Sequence, residues 1–168
     1  MTVTTISPVR YRPWQAGDES LLAALGAALS QQSLQTRFLT GTPTIPPMYL
    51  RHVRTARRSR WDAVVALHGD ELVGWAEFGR YEDHSPVAEL AVVVVDAWQR
   101  RGIGSALARR VVQRSVLSGV HTLVADVLAA NLASVRLIES LAGGVYSVCR
   151  DGDLLHFRLP VAVADAVA

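Results

Sequence analysis

The sequence predicts an α/β (α+β) domain, a mixed and mostly antiparallel sheet of six or seven strands flanked by about four helices. Three features carry that expectation. Short β-branched runs come in pairs joined by tight turns, the signature of antiparallel hairpins. Two stretches, Ile103 to Ser118 and Asn131 to Leu141, show helical periodicity and lie between strand-like runs. The chain of 168 residues is half apolar, which suffices for one core but not two, so residues 1–160 read as a single domain. The Ala/Val-rich tail over 161–168 is expected to be partly disordered.

Val9 to Pro13 alternates as a strand, and Gly17-Asp18 precedes Leu21, Leu22, Leu25 and Leu29 at helical spacing. Ser33 to Leu39 predicts a short helical turn, Gly41 to Pro47 a proline-rich loop, and Met48 to Arg58 a second helix. Trp61 to Leu67 and Leu72 to Tyr81 form a hairpin around His68 to Glu71, and a fourth strand runs from Val87 to Val95. Its unbroken Ala91 to Val95 stretch predicts burial on both faces. In the next helix Ile103, Leu107, Ala108, Val111 and Ser115 share one stripe, and Gly119 stands at the C-cap. Thr122 to Val127 is a fifth strand, and Asn131 to Leu141 a helix stopped by Gly143-Gly144. Two last strands, Val145 to Arg150 and Leu154 to Leu159, flank an Asp151-Gly152 turn.

Composition excludes several classes. No apolar run approaches the roughly 20 residues of a membrane span, and no signal pattern opens the chain, so a cytoplasmic protein without a membrane partner is expected. All 17 basic residues are arginine, and the net charge of +2 argues against nucleic acid. Cys149 has no Cys or His neighbour at ligand spacing, so no metal is expected; a strand-packing thiol is its plain reading. The cluster Arg51, Arg54, Arg57, Arg58 and Arg60 reads either as a solvated helix face or as an attractant for acidic surfaces or phosphates.

The segment Gln99-Arg100-Arg101-Gly102-Ile103-Gly104-Ser105 joins the fourth strand to the amphipathic helix, so its N–H groups are the unpaired donors of a helix N-terminus. Gly102 and Gly104 lack the Cβ atoms that would hold a pyrophosphate away, and the helix dipole adds attraction. Phosphate binding is the physical expectation. A dinucleotide fingerprint would need a third glycine where Leu107 stands, and a P-loop needs a lysine that the chain does not have.

Gln99-x-x-Gly102-x-Gly104 after a Val-rich strand resembles the coenzyme A motif of the GNAT acetyltransferases, and Asn131 after the fifth strand matches a second family position. The resemblance covers most of the chain. Leu29-Ser30 with Ser33 to Arg37-Phe38, Ala88-Glu89, and Val127 to Asn131 are most similar to the acetyltransferase domain of bacterial Pat-type protein lysine acetyltransferases. It implies the GNAT fold, with splayed fourth and fifth strands, and acetyl-CoA as co-substrate. It also implies coenzyme contacts from Val92, Val93 and Val94, from Gln99, Arg100, Arg101, Gly102, Ile103, Gly104 and Ser105, and from Asn131. The acceptor would be a protein lysine or a small amine.

A protonated lysine has no lone pair, so a base must take a proton. Glu89 shares a face with Ala91, Val93 and Val95 by period-two counting, and the matching glutamate of Pat-type enzymes is their general base. An apolar setting would raise its pKa toward neutrality; a strand-end glutamate paired to arginine is the plainer reading. Glu77, Glu82, Asp83 and His84 are further candidates that read as a solvated turn. The oxyanion would meet a backbone N–H near Ala91 or Val92. Where many members carry an acid tyrosine, this chain has Ile138; Tyr146 is near in sequence and reads as a packed strand residue. A coenzyme-binding regulatory module without catalysis is the reading from another class, supported only by that missing tyrosine.

Overall fold

The computed structural model describes residues 8–162. The expected tail lies outside them from residue 163 onward. In chain order the elements are β1 (Arg10–Pro13), α1 (Asp18–Leu25), α2 (Gln31–Phe38), α3 (Pro47–Thr55), β2 (Trp61–His68), β3 (Glu71–Gly79), β4 (Val87–Val94), α4 (Ile103–Leu117), β5 (Thr122–Leu128), α5 (Leu132–Ala142), β6 (Ser147–Asp151) and β7 (Leu154–Pro160). The strands form one sheet in the order β1-β2-β3-β4-β5-β7-β6. Every neighbouring pair is antiparallel except β4 with β5.

Two cores lie on the two faces. Ile103, Leu107, Val111 and Val112 of α4 and Ile138 of α5 pack on Ala76, Phe78, Leu90, Leu123 and Phe157. Leu22 and Leu25 of α1, Leu34 of α2 and Val53 of α3 pack on Val65, Trp75 and Val93 across the sheet. That second core draws its strand residues from β2, β3 and the region of β4 alone. The same face over β5, β7 and β6 therefore has no helix of the second core upon it, and β6 is exposed along its whole length.

Local chemistry explains the elements that frame the site. The predicted stripe of α4 is buried at all five positions. Its one polar member is satisfied, since Ser115 Oγ donates to the Val112 carbonyl at 2.7 Å. The helix starts after Gly102 at φ 78° and stops before Gly119 at φ 88°, conformations that glycine adopts without a Cβ clash. Asn131 caps α5, its side chain accepting from the Ser134 N–H at 3.2 Å. At Gly74 a Cβ would sit 2.8 Å from the Val93 carbonyl oxygen, so glycine lets β3 approach β4 under Leu107.

Several expectations shift. The predicted helical turn at residue 33 is a full helix, α2, because Ser30 caps it by accepting from the Ser33 N–H at 3.1 Å. The last hairpin turns on Gly152-Asp153, since Asp151 still pairs with Leu154. Ala91 and Val92 are half-buried, not buried on both faces, because the sheet opens beside them. Cys149 is exposed, not packed: β6 is an edge strand that no helix covers. The arginine cluster is divided: Arg58 and Arg60, after α3, pair with Asp62 and Asp83, while Arg51 and Arg54, on α3, are solvated. No helix among the described residues is long and apolar enough to cross a membrane.

Leu107 is fully buried between α4 and the sheet, whereas Leu117, on the same helix, is 79% exposed. Leu107→Ala is expected to destabilise by about 3 kcal/mol through lost transfer energy and a cavity, and Leu117→Ala by less than about 0.5 kcal/mol. Urea unfolding followed by circular dichroism measures both.

Candidate active site

β4 and β5 pair only at Val87–Thr122, Ala88–Leu123 and Glu89–Val124. Beyond that point β4 stays with β3 as far as Val94, and β5 stays with β7 as far as Leu128, so the strands part. The Val93 carbonyl points toward β3 at Gly74. Alternation along the strand then turns the backbone groups of Val92 and Val94 into the gap. Val94's carbonyl accepts from Gln99 Nε2 at 3.0 Å, which leaves Val92 to offer both an N–H and a carbonyl there. A cleft of about 660 Å³ follows this gap, walled by α2, β4, the start of α4 and the start of α5.

At one end of the cleft lies the loop into α4. Arg100 (φ 58°) and Gly102 (φ 78°) are both left-handed, and both line the cleft. No side chain caps α4, so its first-turn N–H donors keep no partner from that source. Gly104 is instructive. A Cβ there would meet only Val94 Cγ2, at an ordinary 3.7 Å, so the fold itself tolerates a side chain. The space that glycine leaves there opens into the cleft.

Of the residues expected at the coenzyme, Val92, Val93, Val94, Gln99, Arg100, Gly102, Gly104, Ser105 and Asn131 line the cleft. Arg101 and Ile103 do not: Arg101 stacks over the Trp98 ring at 4.9 Å, and Ile103 is buried in the core. Gln99 is committed to the protein, its Nε2 reaching Ser33 Oγ at 3.3 Å as well as Val94. Sequence reasoning missed Asp96, which follows β4. It accepts from the Ser30 N–H at 3.0 Å, Ser30 Oγ at 2.7 Å and Ser33 Oγ at 3.0 Å, tying the start of α2 to the loop. Burial alone would raise this carboxyl's pKa; the three hydrogen bonds outweigh it and hold the pKa below its ordinary value. Ser30-x-x-Ser33 was a visible capping signal, but its acidic partner is 66 residues distant.

A smaller cavity of about 70 Å³ adjoins the cleft where the strands part, lined by Glu89, Ala91, Asp126 and Ile138, among others. Glu89 is exposed, not enclosed by valines, because the helices of that face stop short of its end of the strand. Its Oε2 accepts from Tyr81 Oη at 3.2 Å, and the Glu89 charge and this bond raise the tyrosine's pKa. No arginine pairs with it among the described residues. Glu77, expected in a solvated turn, is buried on β3 opposite Ala91. It accepts from Arg37, from Tyr49 Oη, from Trp61 Nε1 at 3.1 Å and from Trp75 Nε1 at 3.3 Å, a full complement that bars it from proton abstraction. Burial, then the Glu77 charge, pushes the Tyr49 hydroxyl well up, so it remains a neutral donor. Glu82, Asp83 and His84 are exposed in the turn, and Asp83 is held by Ser59 and Arg60 at 3.0 Å each. Tyr146 is turned away, donating to Glu139 at 3.1 Å. Ile138, at the position where an acid tyrosine would stand, is buried.

The model of the acetyltransferase (GNAT) family matches residues 30–143, about two thirds of the chain. Among solved structures, the GNAT domain of S. lividans PAT is similar over 91% of this chain and 90% of its own, at TM-score 0.81 and 22% identity. A ribosomal-protein-alanine N-acetyltransferase from Brucella melitensis is similar at TM-score 0.70 and 21% identity, over 90% of this chain and 99% of its own. A phosphinothricin acetyltransferase from Sinorhizobium meliloti, solved in complex with AcCoA, reaches TM-score 0.73 at 17% identity, over 92% and 89%. Likeness at these identities shows the fold and leaves the acceptor open.

Asp96's pKa is lowered by folding, so its contribution to stability is present above the unfolded value of about 3.9 and is lost as pH falls through the folded value. Wild type is expected to lose stability between about pH 5 and pH 3, and Asp96→Asn to start less stable at pH 7 and to lose less over that range. Urea midpoints across the pH series report the difference.

Proposed function

The chain belongs to the GNAT family of acetyltransferases, and from that premise we propose that it moves an acetyl group from acetyl-CoA to a primary amine, the side-chain amine of a protein lysine. The observation that carries the reading is the cleft: uncapped N–H donors of α4 at one end, the open edge of Val92 in the middle, and a carboxylate, Glu89, at the other. The donors at Gly102, Gly104 and Ser105 suit a pyrophosphate, with Arg100 beside them. Val92 suits an extended amide-bearing arm, which would pair with β4 as an added strand.

Acetyl-CoA supplies an activated thioester carbonyl. Glu89 takes a proton from the acceptor's ammonium, directly or through one water, freeing the nitrogen lone pair. Its exposure to solvent gives the proton a path out after each turnover. The Val92 N–H faces the forming oxyanion. Ile138 cannot donate a proton. The departing thiolate is a weak enough base to leave without a dedicated acid and takes up the proton that the attacking nitrogen sheds. Asn131 holds the start of α5 in place through its cap, and its remaining amide donors line the cleft.

A protein acceptor fits the open half of the sheet. β6 is exposed along its whole length and the helices of the second core do not lie over β5, β7 and β6, so a folded surface can approach that side of the Glu89 cavity. We place the reaction in the cytoplasm and assign it to residues 1–160 as one catalytic domain.

Glu89→Gln is expected to lower kcat by about 100-fold or more with unchanged affinity for acetyl-CoA. Thiol release with a lysine peptide, together with calorimetry, tests this; turnover at the wild-type rate would refute the base assignment. Gly104→Glu is expected to weaken acetyl-CoA binding by about 100-fold, since it places bulk and negative charge at the phosphate donors. Calorimetry giving wild-type affinity would remove the phosphate site from α4.

A further inference from the structure

Every other carboxylate–cation pair among the described residues is accounted for by the fold. Arg12–Asp18 holds the start of α1, Arg58 and Arg114 share Asp62, Arg57 and Arg60 flank Asp83, and Arg37–Glu77 lies in the α1–α3 core. The exception is His156–Asp126. These residues are direct partners on β7 and β5, and His156 Nδ1 lies 2.6 Å from Asp126 Oδ1. Both side chains are about two-fifths exposed, 41% and 42%, and neither enters a core. A half-exposed pair of this kind contributes little to stability, and the backbone ladder already fixes the β5–β7 register.

Its position is informative. Leu123, Ala125 and Val127 point into the α4–α5 core, so Val124 and Asp126 point to the other face. On β4, Ala88 and Leu90 point into the same core, which puts Glu89 on the face of Asp126. Glu89 is paired with Val124, and Asp126 stands two residues further on, at the point where the strands have begun to part. Glu89 and Asp126 line the same small cavity, one from each lip of the opening. The Tyr81 hydroxyl senses the charge of both. Arg37 also lines that cavity, but its charge is met by Glu77. Arg37 also feels the Glu89 charge at longer range, but among the described residues neither Glu89 nor Asp126 forms an ion pair with an arginine. Asp126 Oδ2 and Glu89 Oε1 accept no hydrogen bond among the described residues.

We propose that Asp126, held in its rotamer by His156, is the specificity-determining carboxylate of the acceptor site: it grips the incoming ammonium from β5 while Glu89 faces it from β4. The proposal rests on the amine-acetylating reading above and deepens it, assigning cationic primary amines as the preferred acceptors. An alkylammonium has three N–H donors, enough for both carboxylates and one more partner. One N–H bond breaks and its proton passes to Glu89; the freed nitrogen forms the new bond to the acetyl carbon as the carbon–sulfur bond breaks, and a second N–H proton passes to the departing thiolate, Asp126 taking no proton in the step. His156 is a positioning residue, because with its proton on Nδ1 it donates to Oδ1 and leaves Oδ2 for the acceptor.

The test compares wild type, Asp126→Asn and His156→Gln at saturating acetyl-CoA, with a lysine peptide and with trifluoroethylamine, an amine already largely neutral at pH 7. Asp126→Asn is expected to raise KM for the lysine peptide by about tenfold with little change in kcat, the pattern of lost ground-state binding. Its kinetics with trifluoroethylamine and its affinity for acetyl-CoA are expected to match wild type, which a misfolded variant could not do. His156→Gln is expected to shift KM in the same direction by a smaller factor. A KM for the lysine peptide within about twofold of wild type in Asp126→Asn, or an equal loss with both acceptors, would overturn the proposal. Wild type that binds acetyl-CoA but acetylates neither amine would overturn the underlying reaction, and with it the proposal; the two failures are told apart by the wild-type control.

Discussion

The structure depends on the parting of two parallel strands. After three paired residues β4 continues along β3 and β5 continues along β7, so one sheet becomes two wings that share a hinge. A strand edge inside a sheet is ordinarily covered by its neighbour, and an uncovered one leaves amide groups in need of partners. Here the opening is held by α4 and α5, which pack under both wings through Leu107, Val111 and Ile138. Glycine at position 74 keeps β3 and β4 close enough for the first wing to stay flat against α4. The gap is thus a fixed feature of the packing.

Each functional group takes its place from that opening. The loop out of β4 must turn sharply to start α4, and Arg100 and Gly102 do so in left-handed conformations at the edge of the cleft. Asp96 and Gln99 bind that loop to α2 and so fix the cleft's near wall. At the hinge, where the gap is narrowest, Glu89 and Asp126 come to face one cavity from different strands. The division of labour among the carboxylates follows from burial. Glu77, with four donors in the core, is structural; Glu89, with one tyrosine partner and open solvent, is left accessible.

What could be read from the sequence was local. The glycines at 102 and 104, the stripe of α4, the helix after the fifth strand and the hairpins are patterns within a few residues, and they appear where the periodicity put them, with Asn131 as the cap of α5 and not its first residue. The one-residue shift of the final turn is a matter of which glycine-containing pair closes the loop. The misreadings share a different cause. Glu77 is buried and Cys149 and Glu89 are exposed because α1–α3 cover one wing of the sheet and leave the other bare, a fact no local pattern encodes. Asp96 with Ser30, and His156 with Asp126, join residues far apart in the chain, and single polar residues in strands carry no mark of their partners.

The central claim is that the gap beside Val92 and the uncapped turn at Gly102 to Ser105 form one continuous binding surface for a thioester carrier. Amide hydrogen exchange, followed residue by residue as acetyl-CoA is added, addresses it directly. Slowed exchange at Val92 and at Gly102, Gly104 and Ser105 together, with the β2–β3 hairpin unaffected, is the predicted result. Protection elsewhere, with these amides exchanging as in the free protein, would contradict it.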